Sequence, residues 1–381
     1  MLHTTNNLEN PFIISKVIPE PLFCDREEET KYLIKQIYNG RNIVLISPRR
    51  MGKTGLIHHL FRQPEISEKH HTFFIDIYAA TSLQEMCYTF GKAVFEQLKP
   101  KKKQYWESFV NTLKSIQAGF SIDAVTGEPK FELGIGAIYN PTTTLEEIFT
   151  YLESAPIPCI VAFDEFQQIA DFQEKRVEAI LRGLMQNCSK TSFIFSGSKQ
   201  HTMSQMFQSK ARPFYQSAQI MELKPLKKDV YTEFAKRLFK KHDKKLDTQV
   251  VEQVYDDYDG TTWYMQMLMN ELFAITANKD TCTQDRISIA KKNIINVQEG
   301  SYQMQMSILS QKQKALLQAI AREGSTKAIT SAAFVKKHSL SSPSSVQSAV
   351  KGLMDKDIVS SEEGCYRIND YFFSEWIKET F

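Results

Sequence analysis

The chain has 381 residues, of which 42% are hydrophobic and 24% are charged, and its formal net charge is +3. These values are ordinary for a globular protein of two or three domains, and so small a charge does not by itself indicate a nucleic-acid or membrane partner. The six cysteines are scattered without a C-x-x-C pair, which argues against a zinc site and against a disulfide framework. The N-terminal residues lack the pattern of a signal peptide, and no apolar run approaches the roughly 20 residues that span a bilayer. We therefore expect a soluble, cytoplasmic protein without a membrane partner.

The region from residue 41 to residue 223 alternates between short apolar runs and segments with helical spacing. Runs this apolar suit the strands of a parallel sheet that is covered on both faces. Strands are predicted at 41–47, 71–78, 158–165, 191–198 and 217–223. Helices are predicted at 52–61, 82–98, 144–154 and 174–188. The alternation predicts an α/β domain.

Two segments interrupt this alternation. PKKKQYW (100–106) is predicted to form a basic turn, and residues 118–136 alternate in polarity around TGEP, which predicts an inserted β-hairpin. After residue 223 the pattern is helical until about residue 300. We therefore expect three domains, which are a core at 1–222, a helical lid at 223–300 and a C-terminal domain at 301–381.

The C-terminal domain has its own pattern of three helices and a hairpin. Helices are predicted at 309–324, at 330–339 with Thr330 as N-cap, and at 341–357 with Pro343 in the first turn. Residues 357–370 predict a hairpin that turns at EEG. Three helices followed by a hairpin predict a winged helix-turn-helix domain.

The stretch ISPRRMGKT (46–54) joins a predicted strand to a predicted helix, and it ends like the phosphate-binding loop G-x-x-x-x-G-K-[ST]. In such a loop, backbone N–H groups and the helix N-terminus face the phosphates. Lys53 would reach the β- and γ-phosphates, and Thr54 would ligate Mg²⁺. Ser47 replaces the first glycine of the pattern, and together with Pro48 it can make the opening turn. The alternative is a helix N-terminus without a ligand.

The apolar strand VAFDEF ends in the two acids that a Mg²⁺-nucleotide site needs. Asp164 would hold the water shell of the metal ion. Glu165 would accept a proton from an attacking water molecule and is the candidate general base. The alternative is an acidic N-cap for the next helix, but two motifs at equivalent strand ends in the correct order favour a site.

The next strand, FIFSGS, ends in serines that could sense a γ-phosphate. Ser198 is the preferred sensor and Ser196 is the reserve. A serine-rich turn without a ligand is the alternative.

Motifs along the chain occur in the order of a known family: NPF (10–12), FCDRE (23–27), PRRMGKT (48–54), FDEFQ (163–167), SGS (196–198) and ARPFY (211–215). On these motifs the chain resembles the archaeal-type ATPase family, a branch of the P-loop ATPases close to the STAND and AAA+ proteins. A strand and a helix separate the phosphate loop from Asp164, and Glu165 follows Asp164 directly. This arrangement resembles the additional-strand branch of the P-loop NTPases.

The resemblance implies that ATP or ADP, with Mg²⁺, is held between the sheet domain and the helical lid. Phe23, Asp25 and Arg26 then contact or frame the adenine, although an ordinary charged helix start is the alternative. The residues expected around the phosphates are Ser47, Pro48, Arg49, Arg50, Met51, Gly52, Lys53, Thr54 and Gly55.

Two further positions follow from the resemblance. Arg212, in ARPFY, lies where related proteins have an arginine that responds to the γ-phosphate. An internal salt bridge is the alternative. The lid motif keeps Gly260 and Tyr264 but lacks the proline between them.

Together these features predict an ATP-binding protein and slow Mg²⁺-dependent ATPase that acts as a nucleotide-driven switch for a protein partner, with an oligomer left open. The first alternative is a DNA-binding ATPase, similar to replication initiators or mobile-element proteins, that places its winged helix on duplex DNA. The second alternative is nucleotide binding without turnover.

The distribution of charge gives the DNA alternative weak support. Residues 301–381 contain ten Lys or Arg against eight Asp or Glu, and the presumed recognition helix at 342–355 has Lys351 as its one basic residue. Duplex binding normally relies on several cations. Residues 227–245 hold eight Lys or Arg against three acids, but such a run is usually a solvated helix face.

Overall fold

A computed structural model of the chain describes residues 10–14, 17–123, 128–132, 134–135, 138–362 and 364–381. The chain forms two compact units. The first unit is Lys16–Leu226, and the second is Lys227–Phe381 together with the described residues at the N-terminus. Within the described ranges, no helix is both long enough and apolar enough to cross a membrane.

The first unit is the α/β part of the chain. Its helices are α1 (Glu27–Tyr38), α2 (Lys53–Arg62), α3 (Pro64–Ser67), α4 (Leu83–Leu98), α5 (Lys103–Thr112), α6 (Pro141–Ser154), α7 (Val177–Gln186) and α8 (Gln200–Gln208). Its strands are β1 (Ile43–Ile46), β2 (His71–Asp76), β3 (Phe120–Ile122), β4 (Pro129–Phe131), β5 (Cys159–Asp164), β6 (Thr191–Gly197) and β7 (Gln219–Glu222).

Five of these strands form a parallel sheet in the order β2-β5-β6-β1-β7. Strand β6 lies between β1 and β5, so the predicted additional-strand arrangement is confirmed. Along β1, Ile43 and Leu45 pack in one hydrophobic cluster while Val44 and Ile46 pack in another. Both faces of the sheet are therefore covered at β1, which explains why this strand is apolar at every position rather than at alternate positions.

The insertion between β2 and β5 departs in part from the prediction. The basic turn predicted at 100–106 is wrong from Lys103 onward, because helix α5 begins there. This helix forms because it buries Phe109 completely and packs Tyr105 and Trp106 against the core. Strands β3 and β4 pair antiparallel inside the predicted hairpin region, and residues 124–127 of that region lie outside the described residues.

The second unit is mainly helical. Its helices are α9 (Lys228–Lys241), α10 (Thr248–Asp257), α11 (Thr262–Ile275), α12 (Asp285–Ser307), α13 (Gln311–Glu323), α14 (Ala332–Lys337), α15 (Pro343–Asp355) and α16 (Tyr371–Thr380). Its strands are β8 (Lys245–Leu246), β9 (Thr281–Cys282), β10 (Ser325–Lys327), β11 (Val359–Glu362) and β12 (Cys365–Ile368).

The C-terminal part of this unit is a winged helix, as predicted. Helices α13, α14 and α15 are followed by the antiparallel hairpin β11–β12, and β10 completes a three-stranded sheet in the order β10-β12-β11. The N-cap of α14 is Ser331 rather than the predicted Thr330, since the Ser331 side chain accepts a hydrogen bond from the Phe334 N–H. Glu363 in the predicted turn lies outside the described residues.

Tyr264 of the lid motif contacts the winged helix rather than standing free. Its hydroxyl donates a hydrogen bond of 2.9 Å to the Asn369 carbonyl oxygen, and its ring packs against Tyr371 and Phe372 of α16. Gly260 adopts a φ of 68°, which suits glycine. This segment therefore joins α11 to the winged helix within the second unit.

The NPF motif near the N-terminus inserts among the helices of the second unit. The Phe12 side chain is 0% exposed and contacts the rings of Phe234, Phe239 and Phe273. The Asn10 and Asn270 side chains each donate to a backbone carbonyl oxygen across this contact, on Asn270 and Phe12 respectively. Phe12 is therefore the apolar anchor of this segment.

We expect Phe12→Ala to lower the free energy of unfolding of the second unit by about 3–5 kcal/mol, because it deletes a fully buried aromatic side chain. Urea denaturation followed by tryptophan fluorescence measures this, since Trp263 and Trp376 both belong to the unit. The matched control is Val297→Ala, at a side chain 83% exposed, which should change stability by less than about 0.5 kcal/mol. A loss below about 1 kcal/mol for Phe12→Ala would contradict the anchor role.

Candidate functional site

The predicted phosphate loop connects β1 to α2 at the carboxyl edge of the parallel sheet. Gly52 is the N-cap of α2 and has a φ of 90°, a conformation that a side chain would strain. Arg50 also has a positive φ, of 68°. The loop thus turns sharply into the N-terminus of α2, where backbone N–H groups without helical partners can face an anion.

Lys53 lies inside this loop and is only 6% exposed. Its ammonium group donates to the Ser47 carbonyl oxygen at 2.9 Å, to Ser47 Oγ at 3.2 Å and to the Pro48 carbonyl oxygen at 3.0 Å. Burial lowers the pKa of Lys53 to about 8, although the charges of Glu165 and Asp164 act in the opposite direction. A bound anion would stabilise the charged form and raise this pKa, so this lysine is suited to a phosphate ligand.

Thr54 and Asp164 meet across the edge of the sheet. Thr54 Oγ1, in the first turn of α2, donates to Asp164 Oδ2 at 2.6 Å, and Asp164 ends β5 with 5% exposure. A hydroxyl and a carboxylate are the hard oxygen ligands that Mg²⁺ takes in nucleotide sites. The donor set therefore fits the metal ion predicted from the sequence.

Glu165 follows Asp164 in a left-handed conformation with a φ of 53°. Its Oε2 accepts a hydrogen bond of 2.8 Å from Ser198 Oγ and another from Gln167 Nε2. Ser198 in turn accepts from Arg49 Nε at 3.4 Å. The structure thus brings the candidate base, the preferred sensor and one arginine of the loop together.

Ser196, the reserve sensor, lies elsewhere. It is buried within β6, and its hydroxyl has no hydrogen-bond partner among the described residues. Of the two serines, Ser198 is the one that contacts Glu165.

Asp76 is a neighbour of this site that the sequence analysis did not single out. It ends β2 directly beside Asp164 in the parallel register, and its Oδ1 accepts from the Tyr78 N–H at 2.9 Å. Burial raises the pKa of the Asp76 carboxyl, and the charges of Asp164 and Glu165 raise it further. The available signal was an aspartate near the end of the strand predicted at 71–78.

The segment predicted to frame the adenine reaches α2 through its aromatic residue. The Phe23 ring stacks on His59 with centroids 4.1 Å apart, and it lies 3.6 Å from the position that a Cβ on Gly55 would take. Arg26 is buried and pairs with Glu29 at 2.6 Å, while its Nη2 has no partner among the described residues. Asp25 has a φ of 58°. Phe23 thus lies beside the helix that follows the phosphate loop.

Arg212 is held in an ion pair with Glu178 of α7. Burial raises the pKa of the Glu178 carboxyl, although the Arg212 charge opposes this shift. This is the internal salt bridge that the sequence analysis left as the alternative. A role of Arg212 at a γ-phosphate stays a prediction.

The sequence motifs contained two further residues whose roles were not recognised, Gln167 and Gly197. Gln167 donates to Glu165, and a Cβ on Gly197 would lie 2.5 Å from Gln167 Oε1. The signal for both was their position inside the FDEFQ and SGS motifs.

Two family models match the chain. Residues 23–268 match the family described as an ATPase domain predominantly from Archaea, and residues 300–379 match a probable winged helix domain. No match was found among curated proteins.

Solved structures with the same fold span almost the whole chain. A Walker-type ATPase of Pyrococcus abyssi has 18% identity and a TM-score of 0.65, covering 97% of this chain and 99% of that chain. The ORC2 protein of Aeropyrum pernix, solved in ADPNP–ADP complexes, has 13% identity and a TM-score of 0.58, with coverages of 97% and 96%. The ORC1 protein of the same organism, solved in complex with DNA, has 13% identity and a TM-score of 0.50, with coverages of 96% and 95%. At these identities the similarity shows the fold alone, and it confirms the predicted fold class.

The pKa of Lys53 predicts how nucleotide affinity depends on pH. Below about pH 8 the lysine is charged before the ligand arrives, so the Kd of ATP should be nearly constant there. Above this pH the free protein must take up a proton on binding, so the Kd should rise toward about tenfold per pH unit. Calorimetric titrations between pH 7 and 9.5, in buffers of different ionisation enthalpy, measure both effects.

The control for this experiment is Lys53→Arg, whose guanidinium stays charged over the whole range. Its Kd should be weaker but independent of pH. A wild-type Kd that is constant up to pH 9.5 would show that Lys53 does not carry the effect.

Proposed function

The chain belongs to the family of ATPase domains found predominantly in Archaea, and on this basis we propose that it binds ATP and hydrolyses it slowly in the presence of Mg²⁺. The observation that carries the proposal is the meeting of Thr54 with Asp164 and of Ser198 with Glu165 at one edge of the sheet. Each pair joins segments more than thirty residues apart in the sequence.

Phosphate binding is assigned to the loop and to Lys53. The ammonium group exchanges its carbonyl partners at Ser47 and Pro48 for phosphate oxygens, and the N-terminus of α2 adds its dipole. Thr54 and Asp164 would hold Mg²⁺, which neutralises the charge that develops on the phosphates. Phe23 is assigned to the adenine.

Glu165 is assigned the role of general base. As the oxygen of a water molecule attacks the γ-phosphorus, the bond from that phosphorus to the β–γ bridging oxygen breaks and the water proton passes to the carboxylate. Ser198 orients the carboxylate through its hydrogen bond. Turnover is expected to be slow because Arg212 is engaged by Glu178 and supplies no charge to the transition state in this arrangement.

The cycle is proposed to serve as a switch for a protein partner. The lid helices and the winged helix belong to one compact unit, so a nucleotide that acts on the lid acts on the winged helix as well. The existence of a protein partner, and of any oligomer, is part of this proposal.

Two substitutions separate binding from hydrolysis. Lys53→Ala should raise the Kd of ATP at least about 100-fold, because it removes the buried cation that meets the phosphates. Glu165→Gln should keep the Kd within about threefold and lower kcat by about 10²–10⁴-fold, because the amide cannot accept the proton. Calorimetry and a phosphate-release assay measure the two quantities.

The decisive outcome concerns Glu165. Normal hydrolysis by Glu165→Gln would show that Glu165 is not the general base. ATP binding by the wild type without any release of phosphate would favour nucleotide binding without turnover.

DNA binding is the alternative function, and the winged helix fold is the observation in its favour. The exposed face of α15 carries Gln347, Ser348 and Lys351, so it offers one cation to a duplex. We therefore expect weak binding with a shallow dependence on salt. Fluorescence anisotropy with duplex DNA at 50 and 200 mM salt, with and without ATP, tests this. A fall in affinity of about 10³-fold between the two salt concentrations would instead support the DNA-binding function.

A further inference from the structure

The two carboxylate oxygens of Glu165 have different surroundings. Oε2 accepts hydrogen bonds from both Ser198 Oγ and Gln167 Nε2. Oε1 accepts none from the described residues, and it is not among the buried polar atoms that lack a partner. One oxygen is therefore held by two donors while the other stays accessible.

Gln167 is an unusual residue for the position it occupies. It lies in the 3-10 helix Phe166–Asp171, is 2% exposed, and its Oε1 is buried without a partner in the described part of the chain. Leaving a buried acceptor unpaired is unfavourable, and an apolar side chain of the same size would avoid it. The reversed amide would direct its oxygen at the Glu165 carboxylate, so the observed orientation is the one that donates. Glutamine at this position therefore supplies a hydrogen-bond donor to Glu165, which an apolar side chain would not supply.

Gly197 provides the space for this side chain. A Cβ at this position would lie 2.5 Å from Gln167 Oε1 and 2.5 Å from Met203 Cγ. The φ of Gly197 does not lie in the left-handed region, so the backbone conformation at this position does not require glycine. Gln167 and Met203 both pack against this position, so there is no room for a side chain directly beside Ser198, which supplies the other donor to Glu165.

We propose that Gln167 is a positioning residue that fixes the Glu165 carboxylate through Oε2, so that Oε1 is the oxygen presented to the attacking water. This inference rests on the proposed ATPase function. Gln167 exchanges no proton itself, because the water proton passes to Glu165 Oε1. A base that is oriented by a further group is a general feature of activated water and nucleophile sites.

The test uses Gln167→Met, which keeps the size of the side chain and removes the donor. Because a small misplacement of a catalytic group is costly, kcat should fall by about 10- to 100-fold. The KM and the Kd of ATP should stay within about threefold, since Gln167 is not assigned to the phosphates. The matched control is Gln168→Met, at the adjacent and partly exposed glutamine, which should leave kcat unchanged.

A double substitution shows whether the effect passes through Glu165. In the Glu165→Gln background, Gln167→Met should cause no further loss of residual hydrolysis. Gly197→Ala, which would push Gln167 aside, should lower kcat in the same direction as Gln167→Met. An unchanged or increased kcat in Gln167→Met, or a full further loss in the Glu165→Gln background, would overturn the inference.

A nucleotide-free crystal structure of Gln167→Met gives a readout that does not depend on activity. The Glu165 carboxylate should leave its present position, whereas the same oxygen retained at 2.8 Å from Ser198 Oγ would contradict the inference. If Glu165→Gln abolishes hydrolysis while Gln167→Met does not affect it, the positioning role alone is wrong. If the wild type hydrolyses no ATP, the proposed function is wrong, and the crystal structure still decides whether Gln167 positions Glu165.

Discussion

The hydrogen bond between Thr54 Oγ1 and Asp164 Oδ2 is the contact on which the candidate site depends. It joins the helix after β1 to the end of β5 across the intervening strand β6. All three strands are parallel, so their carboxyl ends meet at the same edge and deliver three loops to one place. An antiparallel neighbour in this sheet would carry its side chains to the opposite edge, and the site would lack one of its parts.

The replacement of the usual first glycine by Ser47 has a physical role in the loop. Lys53 is buried, and a buried ammonium requires acceptors in place of water. Ser47 supplies two acceptors, its carbonyl oxygen and its hydroxyl, where glycine would supply only the first. The same hydroxyl donates to the Pro48 carbonyl oxygen at 3.1 Å, which holds the opening turn. The serine therefore stabilises the loop around its lysine.

The sequence predicted the sheet and the main site residues because both depend on local patterns. Apolar runs locate the strands, and the candidate site residues, such as Lys53 and Asp164, lie next to strand ends. The pairing of Arg212 with Glu178 is not local, since thirty-four positions separate the two residues and neither lies in a motif of the other. The role of Gln167 depends on the left-handed conformation of Glu165 and on the missing Cβ of Gly197, and neither is visible in a hydrophobic pattern. Helix α5 was missed because its lysine-rich start resembles a turn, while its burial of Phe109 depends on tertiary packing.

The second unit adds a constraint on how a nucleotide signal could reach the winged helix. Lys291 of α12 pairs with Asp257 of α10 at 2.9 Å and with Glu375 of α16 at 2.8 Å. Because the three charges are largely removed from solvent, separating α16 from the lid helices would leave a carboxylate or an ammonium partly buried and unpaired, which is costly. The hydrogen bond from Tyr264 to Asn369 lies at the same contact. The winged helix is therefore fastened to α10, α11 and α12 rather than tethered by a flexible linker. In the proposed switch, a partner on the winged helix would be sensitive to any displacement of these helices.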